Sequence, residues 1–139
     1  MIGAGVSCLV TAREHQEDGQ QAVVYEKSGQ IGGIWVYDPK VETDPLCLEP
    51  KREFVHSSIY HSLRTNIPTQ LMGFTGYFFI AGNGKGIQYP DHEEVLKFLN
   101  RFARGFGLNE LIQLNAEVIR VEQKDNEWMI ESKTSDDQL

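Results

Sequence analysis

The stretch Ile2-Gly3-Ala4-Gly5-Val6-Ser7-Cys8-Leu9 constrains this chain more than any other. Two glycines one residue apart, placed where an apolar lead-in gives way to helix-forming residues, describe a turn from a first β-strand into a first helix. Such a turn receives a dinucleotide pyrophosphate. Glycines remove side chains where backbone must approach phosphate, and the start of the helix presents its unsatisfied N–H groups and positive dipole end to the anion. Against the pattern G-x-G-x-x-G, Gly3 and Gly5 match and Cys8 stands in place of the third glycine. A thiol there adds volume where helix and strand pack closely, and overpacking costs on the order of 1–3 kcal/mol. Bare matches of this kind also occur in ordinary turns, so the residues beyond Cys8 must decide between the two.

From Leu9 the chain suits a helix that ends near Gly19, and Ala22-Val23-Val24-Tyr25-Glu26 is a short β-branched run closed by an acid. The order strand, glycine turn, helix, strand, acid predicts an α/β fold with a Rossmann-like βαβ unit. Glu26 follows the fingerprint by roughly the twenty residues needed to reach ribose hydroxyls. A carboxylate there accepts hydrogen bonds from ribose and repels a 2′-phosphate, so the site suits FAD or NAD better than NADP. The ordinary alternative is a solvated acid at a strand end. Only Met1 and Ile2 precede Gly3, which leaves the central strand of a parallel sheet nearly absent. The expectation is therefore an incomplete unit, truncated at its N-terminus relative to a working domain.

Ile31-Gly32-Gly33-Ile34-Trp35, Val55-His56-Ser57-Ser58-Ile59-Tyr60 and Leu63-Arg64-Thr65-Asn66, taken with the fingerprint, resemble the flavin-containing monooxygenases. Trp35-Val36-Tyr37, Asp44-Pro45-Leu46 and His56-Ser57-Ser58-Ile59-Tyr60 look most like the plant group that S-oxygenates methylthioalkyl glucosinolates. The resemblance runs over almost the whole chain and matches the opening portion of a complete enzyme. It implies FAD as cofactor, NADPH as reductant, and O2 with a small-molecule thioether as substrates. It places Gly3, Ala4, Gly5, Val6 and Ser7 at the pyrophosphate, Glu26 at the ribose, and the backbone around Val118 near the adenine. Ile34 and Trp35 touch the flavin, with Gly32 and Gly33 letting backbone pass close by. Asn66 lies at the flavin's reactive face, where an amide that both donates and accepts can hold the nicotinamide. Read without the resemblance, Trp35 is a core aromatic and Asn66 an Asx-turn residue before Pro68. The chain departs from the family near Gly76–Phe79, where an Asp-Phe-Pro-Phe run is expected and both the acid and the proline are missing. It also lacks a second glycine fingerprint and the family's Phe-x-Gly-x-x-x-His signature, so an NADPH domain is expected to be absent.

Residues 1–139 are accordingly expected to form a partial FAD-binding domain: a βαβ unit over 1–35, a loop-rich flavin and substrate side over 36–90, and a helix with strands over 91–139. Asp38–Glu53, with three prolines, reads as a loop without helical period. Pro90-Asp91-His92-Glu93-Glu94 opens the clearest helix, capped by Asp91 with Glu94 at the capping-box position. Val95, Leu96, Leu99, Phe102, Ala103 and Phe106 form its apolar face, and Gly105 and Gly107 stop it. Leu111–Leu114 reads as a strand. Ala116–Glu122 and Trp128–Glu131 then form a β-hairpin about Asp125-Asn126-Glu127, and a polar tail frays from Thr134.

Other chemistries are disfavoured. A net charge of −7 opposes a nucleic-acid surface, and no run is long and apolar enough for a membrane span. Cys8 and Cys47, with His15, His56, His61 and His92, make no zinc-like cluster, and no secretory signal is present. An intracellular, cytoplasmic setting is expected. Ser57 and Ser58 lack the elbow and acid of a catalytic serine. Ala81-Gly82-Asn83-Gly84-Lys85-Gly86 fails the phosphate-loop pattern, because Gly86 follows the lysine. Three readings remain: the FAD-binding portion of an S-oxygenating monooxygenase, a non-catalytic remnant or binding module of that family, and half of an NAD-dependent dehydrogenase. The last explains neither Trp35 nor Asn66.

Overall fold

The structure, a computed structural model, describes residues 1–44, 46, 48, 50, 57–80, 86 and 88–134. The expectations for Pro45, Cys47, Val55-His56, the glycine-rich 81–85 and the tail beyond Thr134 lie outside these. The chain divides into two compact units, Met1–Ile31 with Ala103–Leu139, and Gly32–Phe102.

The first unit has the expected α/β pattern. Helix α1 (Val6–Glu17) leads to strand β1 (Val24–Tyr25), which pairs in parallel with β2 (Ile112–Gln113) in the register Val24 to Ile112 and Tyr25 to Gln113. Ile2 forms a parallel bridge to Tyr25 on the other side. The short lead-in is therefore used: Tyr25 N–H donates to Met1 O at 3.0 Å and Gly3 N–H to Tyr25 O at 2.7 Å. The core of this unit is Ala4, Leu9, Ala12, Val24, Ala103, Leu108 and Ala116, all buried. Leu9 and Ala12 are three apart and so share a helix face. On the outer side Arg13 bonds Glu17 at 2.7 Å and lays its guanidinium over the Phe106 ring. Cys8 fits without the crowding expected of it. It is only half-buried and its Sγ lies 3.4 Å from Ile2 O, within reach of a weak S–H donor.

Several boundaries differ from the sequence expectation. Leu108–Leu111 is a 3-10 turn, so the strand read over Leu111–Leu114 contracts to Ile112–Gln113. Strands β3 (Ala116–Lys124) and β4 (Glu127–Thr134) form the expected antiparallel hairpin, with Thr134 paired to Ala116 rather than frayed. Its loop is Asp125-Asn126 alone, both at positive φ (50° and 69°), which is the two-residue geometry that matches strand twist; Glu127 already pairs with Lys124. The register breaks between Val118 and Arg120, leaving Ile119 as an extra residue in a β-bulge.

The second unit is turn-rich and packs on helix α2 (His92–Gly105), within which the division between units falls. Asp91 Oδ1 accepts from Glu94 N–H at 2.9 Å, as the cap predicts, while the Glu94 carboxylate bonds Lys97. The helix ends at Gly105, as expected, and Gly107, at φ of +68°, returns its N–H to Arg104 O. The stretch read as featureless from Asp38 holds a 3-10 turn, Pro39–Glu42, because Asp38 accepts from Lys40 N–H and Pro39 presets the first φ. Phe74 and Tyr77 exchange two backbone hydrogen bonds of 2.9 Å. Phe74, Tyr77 and Phe79 then meet Phe98, with ring centroids 4.4–5.6 Å apart. Phe74 and Tyr77 also meet Phe102 edge-on. Such pairs contribute about 0.5–1.5 kcal/mol each beyond their burial.

Candidate dinucleotide site

Glu26 follows β1 directly, and the backbone on both sides of it is fixed by the β2–β3 connection. Its N–H donates to Gln113 O, its carbonyl accepts from Ala116 N–H, and Ser28 O accepts from Asn115 N–H, all within 2.9–3.0 Å. The side chain is 7% exposed. Oε2 accepts from Ala4 N–H at 2.6 Å; Oε1 accepts from Ser28 N–H at 2.8 Å and from the Ser28 hydroxyl at 2.7 Å. Burial by itself would raise this carboxyl's pKa. The Ala4 amide, the Ser28 amide and hydroxyl and the neighbouring Lys27 charge outweigh it and hold the group below its usual range. Glu26 is thus an anion fastened to the fingerprint turn.

An open cleft of about 230 Å³ lies here, bordered by Ile2, Gly3, Tyr25, Glu26, Lys27 and Val118 among others. Three of the sequence-derived site residues, Gly3, Glu26 and Val118, are brought together by it. Gly3 has φ of +88°, and nothing lies within 4 Å of the place its Cβ would take, so bare backbone faces open space. Helix α1 is capped by Gly5 with no side-chain hydrogen bond and has no acid in its first turn. The first-turn amides, those of Val6 and Ser7 included, therefore have neither an intrahelical acceptor nor a side-chain cap. Bare Gly3 backbone and a fixed carboxylate border one cleft, and the uncapped amides that open α1 follow Gly3 by three residues; such donors and acceptors suit an adenosine diphosphate group. Ala4 differs from its neighbours, being fully buried with its amide committed to Glu26.

The remaining site residues belong to the second unit. Gly33–Trp35 is a 3-10 turn in which Ile34 is exposed and Trp35 half-buried. Ser57 is buried, donates to Ile34 O at 2.7 Å and accepts from Ile59 N–H, so it anchors this turn and has no nucleophilic role. Gly32 has φ of 126°, which favours glycine; a Cβ there would come 2.4 Å from Leu96 Cδ1, a side-chain end that would have to shift. Asn66 is exposed on a bend before Pro68.

Sequence reasoning missed one residue, Ser28, and one backbone feature, the bulge after Val118. Ser28, a short hydroxyl two positions after a strand-end acid, is the pattern of a local side-chain-to-backbone turn. The bulge that sets Val118 at the cleft was signalled by the doubled apolar pair Val118-Ile119, which interrupts the period of two. Among the described residues no group of acids, histidines or cysteines could hold a metal ion, and no helix is long and apolar enough to cross a membrane.

Comparison with known proteins shows the family and the fold. Residues 1–133 match the family model for flavin-binding monooxygenase-like proteins. The flavin-containing monooxygenase FMO GS-OX2 of Arabidopsis thaliana is 47% identical over 139 residues, an alignment that takes in 97% of this chain and 30% of that protein. The solved structure of S-allyl-L-cysteine S-oxygenase from Allium sativum superposes with a TM-score of 0.87 at 42% identity, covering 97% of this chain and 31% of its own. Tmm from a Pelagibacter strain, at 24% identity and a TM-score of 0.78, shares the fold. The chain spans about 30% of the length of the curated relatives it matches. With the βαβ unit, the glycine turn and the anchored acid in the places this fold requires, the chain belongs to the flavin-binding monooxygenase-like family.

Proposed function

We propose that this chain is the FAD-binding portion of an NADPH-requiring monooxygenase that S-oxygenates thioethers, methylthioalkyl glucosinolates among them. The observation that carries the reading is the cleft that joins Gly3, Glu26 and Val118. In this reading Gly3 and Gly5 let the pyrophosphate approach the backbone, and the amides of Val6 and Ser7 donate to it. Glu26 accepts from the ribose, and the bulge at Val118 borders the adenine. Ile34, Trp35 and Asn66 serve the flavin end, with Ser57 holding the Ile34 carbonyl in place. Bound FAD would supply the redox chemistry, carrying reducing equivalents from NADPH to O2. The choice of sulfur as the oxygenated atom is supported by S-allyl-L-cysteine S-oxygenase, whose name gives a thioether as its substrate.

The test is a titration of the 139-residue chain with FAD, followed by flavin fluorescence. Saturable quenching near one equivalent is expected, weakened more than about tenfold by Glu26→Gln, which removes the charge from a hydrogen-bonded site. A folded chain that leaves flavin fluorescence unchanged would sink the proposal.

A further inference from the structure

The Glu26 carboxylate offers about four acceptor directions, and protein donors occupy three of them. Two of those donors are main-chain amides, which side-chain truncation leaves in place. The third is the Ser28 hydroxyl, 2.7 Å from Oε1. The same hydroxyl lies 2.8 Å from Gln30 O, so one proton has two acceptors in range. The charged oxygen is the stronger acceptor, and the proton belongs there. Ser28 is itself held in place: Asn115 N–H donates to its carbonyl at 3.0 Å, and the position of a Gly29 Cβ is 3.3 Å from Asn115 Oδ1.

We infer that Ser28 is a positioning residue for nucleotide selectivity: it pins the Glu26 carboxylate at the cleft beside Gly3, leaving one acceptor direction for a ribose hydroxyl and none for a 2′-phosphate. The inference rests on the reading of the cleft as an adenosine diphosphate site and assigns its selectivity. One open direction suffices for a single donated O–H. A phosphate brings acceptors only, and its negative charge meets a carboxylate that cannot turn away. The open direction is on Oε2, which holds only the Ala4 amide, so a ribose hydroxyl can donate there while Ser28 keeps both of its bonds to Oε1. Lys27 and Glu117, which also border the cleft, carry opposite charges and leave the local balance to Glu26.

The probes are ADP-ribose and 2′-phospho-ADP-ribose, titrated calorimetrically into the full 139-residue chain. The wild-type chain is expected to prefer ADP-ribose, and Glu26→Gln to abolish the preference. Ser28→Ala should reduce the affinity ratio about threefold to tenfold, the scale of one charge-assisted hydrogen bond. Ser28→Thr and Ser28→Val have the same shape and differ in the hydroxyl. Retention of the ratio by the first and its loss in the second would report hydrogen bonding and exclude packing, even where Ser28→Ala is too unstable to measure. Equal ratios in wild type, Ser28→Thr and Ser28→Val would overturn the role of Ser28 and leave the site reading intact. A folded wild-type chain that binds neither probe would bring down both.

Discussion

Two carboxylates, one in each unit, do the same job in different surroundings. Glu26 accepts from the amide of Ala4, 22 residues away, and Glu42 accepts from the amide of His61, 19 residues away; both bonds are 2.6 Å long. Each stitches a loop to a distant stretch of chain. Glu26 is 7% exposed, however, and receives two further donors from Ser28, whereas Glu42 is open to water. Glu42 also takes part in the surroundings of Tyr37: partial burial, the Glu42 charge and its hydrogen bond together hold that phenol above its usual pKa. Bond length therefore does not set a bond's importance. Water replaces a lost acceptor at Glu42 and is kept from doing so at Glu26.

The contrast is broken most forcefully by removing Glu26. Glu26→Ala leaves the buried Ala4 amide without its acceptor, whereas the exposed Ser28 hydroxyl can turn to Gln30 O. A loss of about 2–4 kcal/mol is expected, the range for orphaned buried donors and a vacated site. Urea denaturation followed by circular dichroism measures it. A midpoint within experimental error of wild type would show that water reaches Ala4 as readily as it reaches His61, and the distinction between the two acids would be lost.

That distinction was half-visible in the sequence. Gly3, Gly5 and Glu26 could be read because the fingerprint and the strand-end acid are local patterns with fixed spacing. Asp91 could be read because a cap sits three residues from the amide it serves. The burial of Glu26 was not legible, since it depends on Ala4 and the β2–β3 connection folding over a side chain from the end of β1. Phe98 shows the same limit. It falls on the buried side of α2, 2% exposed, yet its partners Phe74, Tyr77 and Phe79 lie in a turn-rich segment with no period that would pair them with it. Short 3-10 turns such as Pro39–Glu42 escape for another reason. One turn has no period to detect, and only the Asp-Pro pair signals it.

The pH dependence of stability sharpens the comparison at a smaller scale. The folded-state pKa of Glu26 lies below its unfolded value, so between the two the unfolded chain binds more protons. The stabilisation is fully present above the ordinary carboxylate range and is lost as pH falls through the depressed folded value. Urea midpoints taken from about pH 7 down to about pH 3 should therefore fall more steeply for wild type than for Glu26→Gln, which has no proton to bind there. Every other acid is common to both proteins, so the difference between the two curves isolates Glu26. Parallel curves would contradict a lowered pKa.

The smallest effect belongs to Glu42. Glu42→Ala removes the acceptor of His61 N–H and the partner of the Tyr37 phenol, but both lie where water can enter. The expected loss is at most about 1 kcal/mol, the range of exposed polar contacts. It should also lower the Tyr37 pKa toward its ordinary value, because a neighbouring negative charge has gone. Ultraviolet titration of the phenolates resolves that shift by difference from wild type. Two readouts keep the outcome interpretable. A small stability change with a lowered phenol pKa fits a solvated stitch, whereas a loss as large as that of Glu26→Ala would mean that the Glu42 bond is sheltered from water. Exposure would then have failed to separate the two carboxylates, and the number of donors on each would be the remaining physical difference.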